Sequence, residues 1–270
     1  MNEKYKRLLN ILRELGSAAV AFSAGVDSTL LLRAAHEALG DRVVAVTIRS
    51  VFVPERELAE AADLCAAEGL RHAVLDVDVL AIPGVAENPS ERCYLCKRAL
   101  FARIKEAARE LGLAQVLEGS NADDLKDYRP GMRAVRELGV RSPLLEAGLT
   151  KAEIRALSRE LGLPTWDKPA MACLATRFET NHPISAQGLA RVEAAEAWLS
   201  ERGYRQLRVR DHGDLARLEL DAAGLARLRD PAEAAAVHSA LKRFGYRYVT
   251  LDLGGYRMGS MNASAAAQPD

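Results

Sequence analysis

The chain lacks an excess of charge of either sign, and it lacks any apolar run long enough to cross a membrane. Lys and Arg together number 37 and so do Asp and Glu, so the 270 residues carry no overall field that would attract nucleic acid. A membrane-spanning helix needs about 20 consecutive apolar residues, and no such run occurs. The N-terminal residues predict an amphipathic helix with acidic positions, unlike a secretory leader. We therefore expect a cytoplasmic protein.

Cysteine is also scarce, with four in the chain, which does not suit a disulfide framework and favours a reducing compartment. Cys65 falls in step with apolar residues of a predicted helix, so we expect it in the core. Cys93 and Cys96 form a C-x-x-C pair at a predicted helix start, and Cys173 lies far downstream. These three thiols could form a redox pair with a sulfur donor, an incomplete zinc site or three corners of an iron–sulfur cluster.

Short apolar runs alternate with segments of helical periodicity through the first 160 residues. We predict strands at residues 18–22, 42–49, 71–79 and 115–118, and helices at residues 29–39, 54–69, 91–112 and 150–162. Thr150 and Glu153 have the spacing of a capping box at the last of these helices. Strands separated by helices form a parallel sheet that binds ligands at the strands' carboxyl ends, so the fold class is α/β.

The pattern changes after about residue 180. A helix is predicted at residues 185–203 and short strands at residues 204–210, 215–220 and 246–253, which together indicate a small α+β domain. We predict three regions: a nucleotide-binding domain at 1–178, an α+β substrate-binding domain at 179–262 and a disordered polar tail at 263–270.

The junction between the first strand and the next helix carries the most informative motif. It reads SAGVDS and consists of Ser23, Ala24, Gly25, Val26, Asp27 and Ser28. Small residues at a strand-to-helix turn let backbone N–H groups approach an anion, and the helix N-terminus adds partial positive charge. No Gly-Lys-Ser/Thr follows, so this is not a Walker loop. The alternative is a tight turn with a polar N-cap.

The motif resembles the PP-loop, SGGxDS, of the ATP pyrophosphatases, with Ala24 in place of one glycine. That resemblance implies cleavage of ATP between its α- and β-phosphates. Alanine resists the positive φ that glycine accepts, so ATP binding should be weak if the loop requires φ > 0 at this position.

A second polar segment, residues 118–132, follows the fourth predicted strand. Its candidate ligand residues are Asn121, Asp123, Asp124, Asp127 and Arg129. The alternative is a solvated turn with Asx caps. The position at a strand's carboxyl end instead favours nucleotide binding by Asn121 and Asp124. Mg²⁺ takes oxygen ligands and bridges carboxylates to phosphates, so Asp27, Asp123, Asp124 and Asp127 are all candidates that the sequence does not rank; of these we predict Asp27 and Asp123 as its ligands.

Five blocks together are more specific than any one motif. SAGVDS, ERCYLCKRALF, EGSNADDLKDYRPGM, PAMACLATRF and GYRMGSMN occur in the order and spacing of the LarE family, over about residues 5–262. The resemblance implies an ATP-dependent sulfur transferase that acts in the synthesis of the nickel-pincer nucleotide cofactor. Pyridinium-3,5-biscarboxylic acid mononucleotide would be adenylylated on a carboxylate, and a sulfur nucleophile would then displace AMP. Two rounds would give the bisthiocarboxylate.

The sulfur source differs within the family. Some members sacrifice the sulfur of the downstream cysteine, here Cys173, and are left with dehydroalanine. Others have three cysteines that resemble the ligands of a 4Fe-4S cluster, and this chain has Cys93, Cys96 and Cys173. We expect the cluster version, in which one iron stays open to bind and deliver hydrosulfide.

Basic residues supply the other candidates. Lys97 follows the C-x-x-C pair and could stabilise the oxyanion of the sulfur-transfer step. Arg208 and Arg210 lie on one face of a predicted strand, where spacing alone would indicate a solvent-facing stripe. In LarE the matching arginines lie with substrate phosphate, and Glu219 and Arg257 are weaker candidates of the same kind. We expect Asp211 and His212, which precede a turn, to be structural.

Three other functions fit parts of the pattern. A PP-loop tRNA thiolase also uses a C-x-x-C pair and a distant cysteine, but it needs a basic or zinc-finger surface for tRNA. An ATP-dependent amide ligase needs ammonia and leaves the cysteines unexplained. A nucleotide or metal sensor would release no pyrophosphate in response to a pyridinium substrate.

The resemblance also implies the partners. They are the small-molecule pyridinium mononucleotide, further copies of the chain in a homo-oligomer, a sulfide source and a downstream nickel-insertion enzyme. Neither nucleic acid nor a membrane is expected among them.

Overall fold

The computed structural model describes residues 3–126, 130–169 and 172–257. Asp127, Arg129 and the predicted tail at 263–270 lie outside these ranges. The chain divides into two compact units: Met1–Asp78 with Cys93–Met171, and Val79–Arg92 with Ala172–Asp270. No sequence pattern indicated that residues 79–92 belong with the second unit. The domain boundaries predicted from the sequence, 1–178 and 179–262, stay a prediction.

The first unit is built on a four-stranded parallel sheet. Its strands are β1 (Ala18–Ala21), β2 (Val43–Arg49), β3 (His72–Asp76) and β4 (Gln115–Leu117). Their order across the sheet is β3-β2-β1-β4. The strand order reverses at β1, which pairs with β2 on one side and with β4 on the other. Loops at such a reversal of strand order diverge and leave a crevice at the carboxyl ends of the strands. The sheet order therefore points to the loops after β1 and β4 as the ligand site.

Helices cover both faces of this sheet. They are α1 (Glu3–Glu14), α2 (Val26–Leu39), α3 (Glu55–Ala67), α4 (Arg92–Glu110), α5 (Pro130–Glu137), α6 (Pro143–Glu146) and α7 (Lys151–Glu160). Leucines of α1 and α2 pack with β1 in one apolar cluster, and Phe101 and Ile104 of α4 pack with Val135 of α5 on the other. Cys65 is buried in the first cluster, which confirms the prediction.

The predicted capping box at α7 is also confirmed. The Thr150 side chain accepts a hydrogen bond from the Glu153 amide, and the Glu153 carboxylate accepts one from the Thr150 amide. This reciprocal pairing satisfies two groups that a helix start otherwise leaves without an intrahelical partner.

The second unit has an α+β fold, as the sequence predicted. It contains α8 (Ala186–Glu201), β5 (Leu207–His212), β6 (Leu215–Leu220), α9 (Ala222–Arg227), α10 (Pro231–Arg243) and β7 (Tyr248–Leu251). β5 and β6 form an antiparallel hairpin, and β7 joins β6 in parallel after the crossover through α9 and α10. Apolar residues of α8, α10 and the three strands form its core.

The strand predicted at residues 204–210 lies at Leu207–His212, because Asp211 and His212 pair with Ala216 and Leu215 in the hairpin. Two other predicted strands are each four residues shorter than expected. The strand predicted at residues 71–79 ends at Asp76, because its partner β2 ends at Arg49 and offers no further backbone groups. The last strand covers four residues, Tyr248–Leu251, since it pairs with β6 along that length alone. In the described ranges, no helix has both the length and the apolar character that crossing a bilayer requires.

Candidate active site

Two serine hydroxyls lie close together in the loop between β1 and α2. The Oγ atoms of Ser23 and Ser28 lie 3.2 Å apart, and Ser28 Oγ also donates to the Gly25 carbonyl at 3.2 Å. Gly25 is the N-cap of α2 and its backbone is extended. The first amides of α2 therefore project beyond the helix end, where they can bind an anion.

Ala24 has a positive φ, the condition under which we expected ATP binding to be weak. Its φ is +50°, in the left-handed region, and its side chain is buried in the core. For a residue with a Cβ this conformation costs roughly 1–2 kcal/mol. The Ala24 carbonyl accepts a hydrogen bond from Lys168 Nζ at 3.0 Å.

A glycine lets the end of β4 approach this loop closely. A Cβ added at Gly119 would lie 3.2 Å from the Ser28 amide nitrogen and 3.3 Å from Cβ of Asp27. Both atoms belong to the rigid start of α2. The loops after β1 and β4 therefore lie against each other, with no room for a side chain at this position.

The acidic segment after β4 is joined to the PP-loop by side-chain hydrogen bonds. Asn121 donates to Oδ1 of Asp27 at 3.3 Å, and its backbone amide donates to Asp124 Oδ2 at 3.0 Å. Asp123 accepts from the Lys151 amide at 2.9 Å, and Lys151 Nζ lies 2.5 Å from Asp27 Oδ2. The predicted nucleotide and magnesium residues thus gather at the carboxyl ends of β1 and β4. Asn121 and Asp124 are both buried.

The C-x-x-C pair lies on the first turn of α4, which begins at Arg92. Cys93 and Cys96 are both partly exposed. The following residue, Lys97, lies along α5: a Cβ at Gly131 would come within 2.6 Å of Lys97 Cδ. The lysine stem therefore occupies the space that the glycine leaves, which limits the positions its ammonium can take.

In the second unit, Cys173 precedes a short 3₁₀ helix and is exposed. Its carbonyl accepts hydrogen bonds from Thr176 Oγ1 at 2.9 Å and from Arg177 Nη1 at 3.1 Å. Arg177 is fully buried and makes a two-pronged contact with Glu196 of α8, at 2.9 and 2.8 Å. Burial by itself would raise the pKa of Glu196, but the charge and hydrogen bonds of Arg177 lower it. This pair fixes the backbone that carries Cys173.

Arg208 and Arg210 are buried, so the alternative of a solvent-facing stripe is wrong. Arg210 donates to Glu219 Oε2 at 2.6 Å and to the Thr176 carbonyl at 2.8 Å. The Arg208 guanidinium lies 5.1 Å from the ring centre of Tyr256. Burial, followed by the charge of Arg177, lowers the pKa of Arg208. Arg210 is therefore paired with a buried carboxylate, and the two guanidiniums share one face of β5.

The remaining residues of this unit differ in exposure. Arg257 is exposed, and its Nη2 would lie 2.9 Å from a Cβ added at Gly254. Asp211 is buried and paired with Arg191 at 2.7 Å, and it accepts from Tyr246 at 3.0 Å. Asp211 thus has the structural setting that we expected, whereas Arg257 does not belong to the buried arginine group.

Comparison with known proteins decides the family. No protein-family model matches the chain. It is 38% identical over 260 residues to the pyridinium-3,5-bisthiocarboxylic acid mononucleotide synthase of Lactiplantibacillus plantarum, covering 96% of this chain and 94% of that protein. The chain belongs to the LarE family.

Two other relatives match this LarE chain to different extents. An uncharacterised protein of Synechocystis is 40% identical over 262 residues, which is 97% of this chain and 98% of that protein. The GMP synthase of Aeropyrum pernix is 29% identical over 213 residues, 71% of this chain but 41% of that protein. This partial likeness identifies the LarE chain as a member of the PP-loop superfamily.

Among the described residues of the LarE chain, no three His, Cys, Asp or Glu side chains form a group that could hold a metal ion. The magnesium and cluster ligands therefore stay predictions. Asp127 and Arg129 cannot be added to the site, since they lie outside the described residues.

Sequence reasoning missed two lysines that contact the PP-loop of the LarE chain. Lys151 is the first residue of α7, and Lys168 lies in the turn that follows this helix. Lysines at such positions are usually solvated, so neither stood out by pattern. The signal that could have found them is position, because Lys151 follows the N-cap of α7 and Lys168 precedes a proline.

Proposed function

We propose that this chain is an ATP-dependent sulfur transferase that converts pyridinium-3,5-biscarboxylic acid mononucleotide to its bisthiocarboxylate for the nickel-pincer nucleotide cofactor. The observation that carries the proposal is the end-to-end likeness to a synthase of that product, at 38% identity. It is supported by a PP-loop whose helix amides and polar neighbours suit a nucleotide. The same likeness favours a mononucleotide over tRNA as the substrate.

The PP-loop and the segment after β4 would bind ATP. The amides at the start of α2 would hold phosphate oxygens, with Asn121 and Asp124 shaping the adjoining wall. Asp27 and Asp123 offer carboxylate oxygens, the donors that Mg²⁺ prefers, so these residues fit a magnesium ion that enters with ATP. Lys151, which now neutralises Asp27, would have to share that carboxylate with the metal.

The first chemical step would form an acyl-adenylate. A substrate carboxylate oxygen attacks the α-phosphorus of ATP, the bond to the bridging oxygen breaks, and pyrophosphate leaves. In the second step hydrosulfide attacks the activated carbonyl and AMP leaves, so a thiocarboxylate forms with loss of one proton. Lys97, whose stem is confined by α5, would stabilise the oxyanion between attack and departure.

The cysteines would deliver the sulfur by one of two routes. Cys93 and Cys96 lie three residues apart on α4 and are partly exposed, and Cys173 is exposed. Their thiolates would hold a 4Fe-4S cluster, the three-cysteine arrangement that the resemblance to LarE implies. A cluster held by three thiolates would offer an open iron for hydrosulfide. The alternative is that the exposed Cys173 thiolate attacks the acyl-adenylate and displaces AMP. Loss of the Cα proton would then break the Cβ–Sγ bond, releasing the thiocarboxylate and leaving dehydroalanine at position 173.

The buried arginines would bind the substrate phosphate. Arg208 and Arg210 share one face of β5, and Glu219 orients Arg210 through a 2.6 Å contact. Guanidinium groups can make two parallel hydrogen bonds to a phosphate, which fixes its orientation. Arg257, being exposed, would contribute at the rim if the bound substrate reaches it.

The test is pyrophosphate release by anaerobically purified protein given MgATP, with and without the pyridinium substrate. Release that depends on this substrate is expected, whereas release without it, or none at all, would contradict the proposal. Iron and sulfide are assayed in the same preparations for the single Cys→Ala variants of Cys93, Cys96 and Cys173. The matched control is Cys65→Ala, which removes a core thiol.

The outcomes separate the two sulfur sources. About four irons per chain, lost in each of the three variants and kept in the control, would support the cluster. A protein that stays iron-free after reconstitution would contradict it. A loss of mass equal to one H₂S after turnover, absent from Cys173→Ala, would then support the sacrificial cysteine.

A further inference from the structure

We infer that Lys168 is a positioning residue that holds Ala24 in its left-handed conformation and thereby sets the shape of the PP-loop. The inference rests on the proposed function in one respect, namely that this loop binds ATP. Lys168 would supply a stabilising contact that the loop residues themselves do not, because the glycine common at this position of the motif is an alanine here.

The conformation of Ala24 needs an external cause. Among the described residues, three other than glycine have positive φ: Ala24, Asn88 and Asn181. Asparagine tolerates this region because its short polar side chain can hydrogen-bond locally, whereas alanine has no such means. The surroundings must therefore supply the stabilisation at Ala24.

Lys168 supplies a contact at the strained residue itself. Its Nζ donates to the Ala24 carbonyl at 3.0 Å and also pairs with the Glu60 carboxylate of α3. The Lys168 side chain is 17% exposed, so this ammonium is shared between two protein acceptors with little access to water. A hydrogen bond from a charged donor is stronger than a neutral one.

The turn that carries Lys168 is itself fixed. The Lys168 amide donates to the Thr165 carbonyl at 3.0 Å. Arg155 of α7 donates to the carbonyls of Trp166 at 2.7 Å and of Lys168 at 2.8 Å. The turn that carries Lys168 is therefore hydrogen-bonded to α7, a helix of the same unit. These bonds fix the backbone from which the Lys168 side chain reaches Ala24.

The consequence concerns the loop amides. Successive backbone amides in a turn can form a concave group that binds anions, and the conformation of Ala24 helps to set the direction of the amides that follow it. If Ala24 relaxed to negative φ, the amides of the residues after it would turn away from the phosphates. Loss of Lys168 should therefore weaken nucleotide binding and leave the rate of the bound complex unchanged.

A double-mutant cycle tests this. Wild type, Lys168→Met, Ala24→Gly and the double variant are titrated by calorimetry with Mg²⁺ and an ATP analogue whose α,β-bridge cannot be cleaved. We expect Lys168→Met to lose affinity about tenfold, equivalent to about 1.4 kcal/mol, because the two residues are in direct contact. In the Ala24→Gly background the same change should cost less than about threefold, because glycine adopts the conformation unaided.

Other results overturn the inference. An equal loss in both backgrounds would make Lys168 a direct phosphate ligand, and no loss would make it irrelevant to the loop. Lys6→Met removes an exposed lysine of α1 and is the matched control, expected to bind as wild type does. If Lys168→Met does not fold, Lys168→Gln and Glu60→Gln replace it in the cycle.

Failure of the proposed function is distinguishable. If the wild-type protein binds no nucleotide, the proposed function fails. The same four proteins are then compared by their free energies of urea unfolding, measured without nucleotide. A smaller destabilisation by Lys168→Met in the Ala24→Gly background would still support the positioning role, and strict additivity would overturn it.

Discussion

The ammonium of Lys151 lies 2.5 Å from Oδ2 of Asp27, although 124 residues separate them in the chain. Asp27 is the acidic residue of the PP-loop, and Lys151 opens α7. Asn121 adds a second contact to the same carboxylate at 3.3 Å. The charge of Asp27 is therefore balanced from within the protein, at the site where we propose that magnesium and phosphate bind.

Lys151→Met should make ATP binding more dependent on magnesium. Without the ammonium, the Asp27 carboxylate repels the phosphates unless a metal ion neutralises it. At low Mg²⁺ we expect ATP affinity to fall about fivefold, equivalent to about 1 kcal/mol, and to recover at high Mg²⁺. The measurement is calorimetric titration of the analogue at several Mg²⁺ concentrations. Lys151→Arg keeps the charge and is the control; a loss of the same size at every Mg²⁺ concentration would contradict the prediction.

Gly119→Ala should weaken nucleotide binding without changing the sulfur-transfer step. Its Cβ would crowd the Ser28 amide at 3.2 Å, and backbone at the start of α2 cannot yield as a side chain can. The matched variant is Gly131→Ala, whose Cβ meets the stem of Lys97 at 2.6 Å. We expect Gly119→Ala to raise the KM for ATP and Gly131→Ala to lower kcat through Lys97. An unchanged KM for ATP in Gly119→Ala would show that the close approach has no role.

Glu196→Gln should destabilise the protein markedly. It removes the carboxylate that pairs with the fully buried guanidinium of Arg177, and it leaves a buried cation without that charge partner. Removing one partner of a buried ion pair costs about 3–5 kcal/mol, which is the loss of stability we expect. The measurement is the free energy of urea unfolding of the variant and the wild type. Glu3→Gln breaks the exposed pair with Lys6 and should change stability by less than about 0.5 kcal/mol. Equal effects in the two variants would contradict the prediction.

The contribution of Glu153 to stability should disappear in acid. The hydrogen bond from Lys4, followed by those of Thr150, lowers the pKa of Glu153 from 4.5 to about 2. A carboxyl whose pKa is lower in the folded state stabilises the protein above pH 4.5 and loses that contribution as the pH falls towards 2. The difference in unfolding free energy between wild type and Glu153→Gln should therefore be constant above pH 4.5 and shrink below it. A difference that does not change with pH would contradict this.

The sequence predicted the architecture of both units. Alternating apolar runs and helical segments predicted the parallel sheet, although not its strand order or the helices α5 and α6. The change of pattern after residue 180 predicted the α+β unit. The family assignment is confirmed by the end-to-end likeness to the Lactiplantibacillus synthase. Element ends were less accurate, because a strand stops where its partner stops, as β3 does at Asp76.

The candidate site was predictable in part. The PP-loop, Asn121 and the aspartates follow strands, so their meeting at one sheet edge follows from topology. The burial of Arg208 and Arg210 did not follow, because spacing places two side chains on one face without saying which face is covered. The roles proposed for the cysteines, Lys97 and the arginines stay predictions.

The sequence by itself determined the fold class, the PP-loop motif and the family, because periodicity, small residues and long matching blocks are local properties of the chain. Tertiary structure decided the positive φ of Ala24 and the two lysines that reach the loop, Lys151 and Lys168. It also decided the pairing of Arg177 with Glu196. These features depend on contacts between residues far apart in sequence, and the energy of such a contact is fixed by burial and geometry that no local pattern encodes.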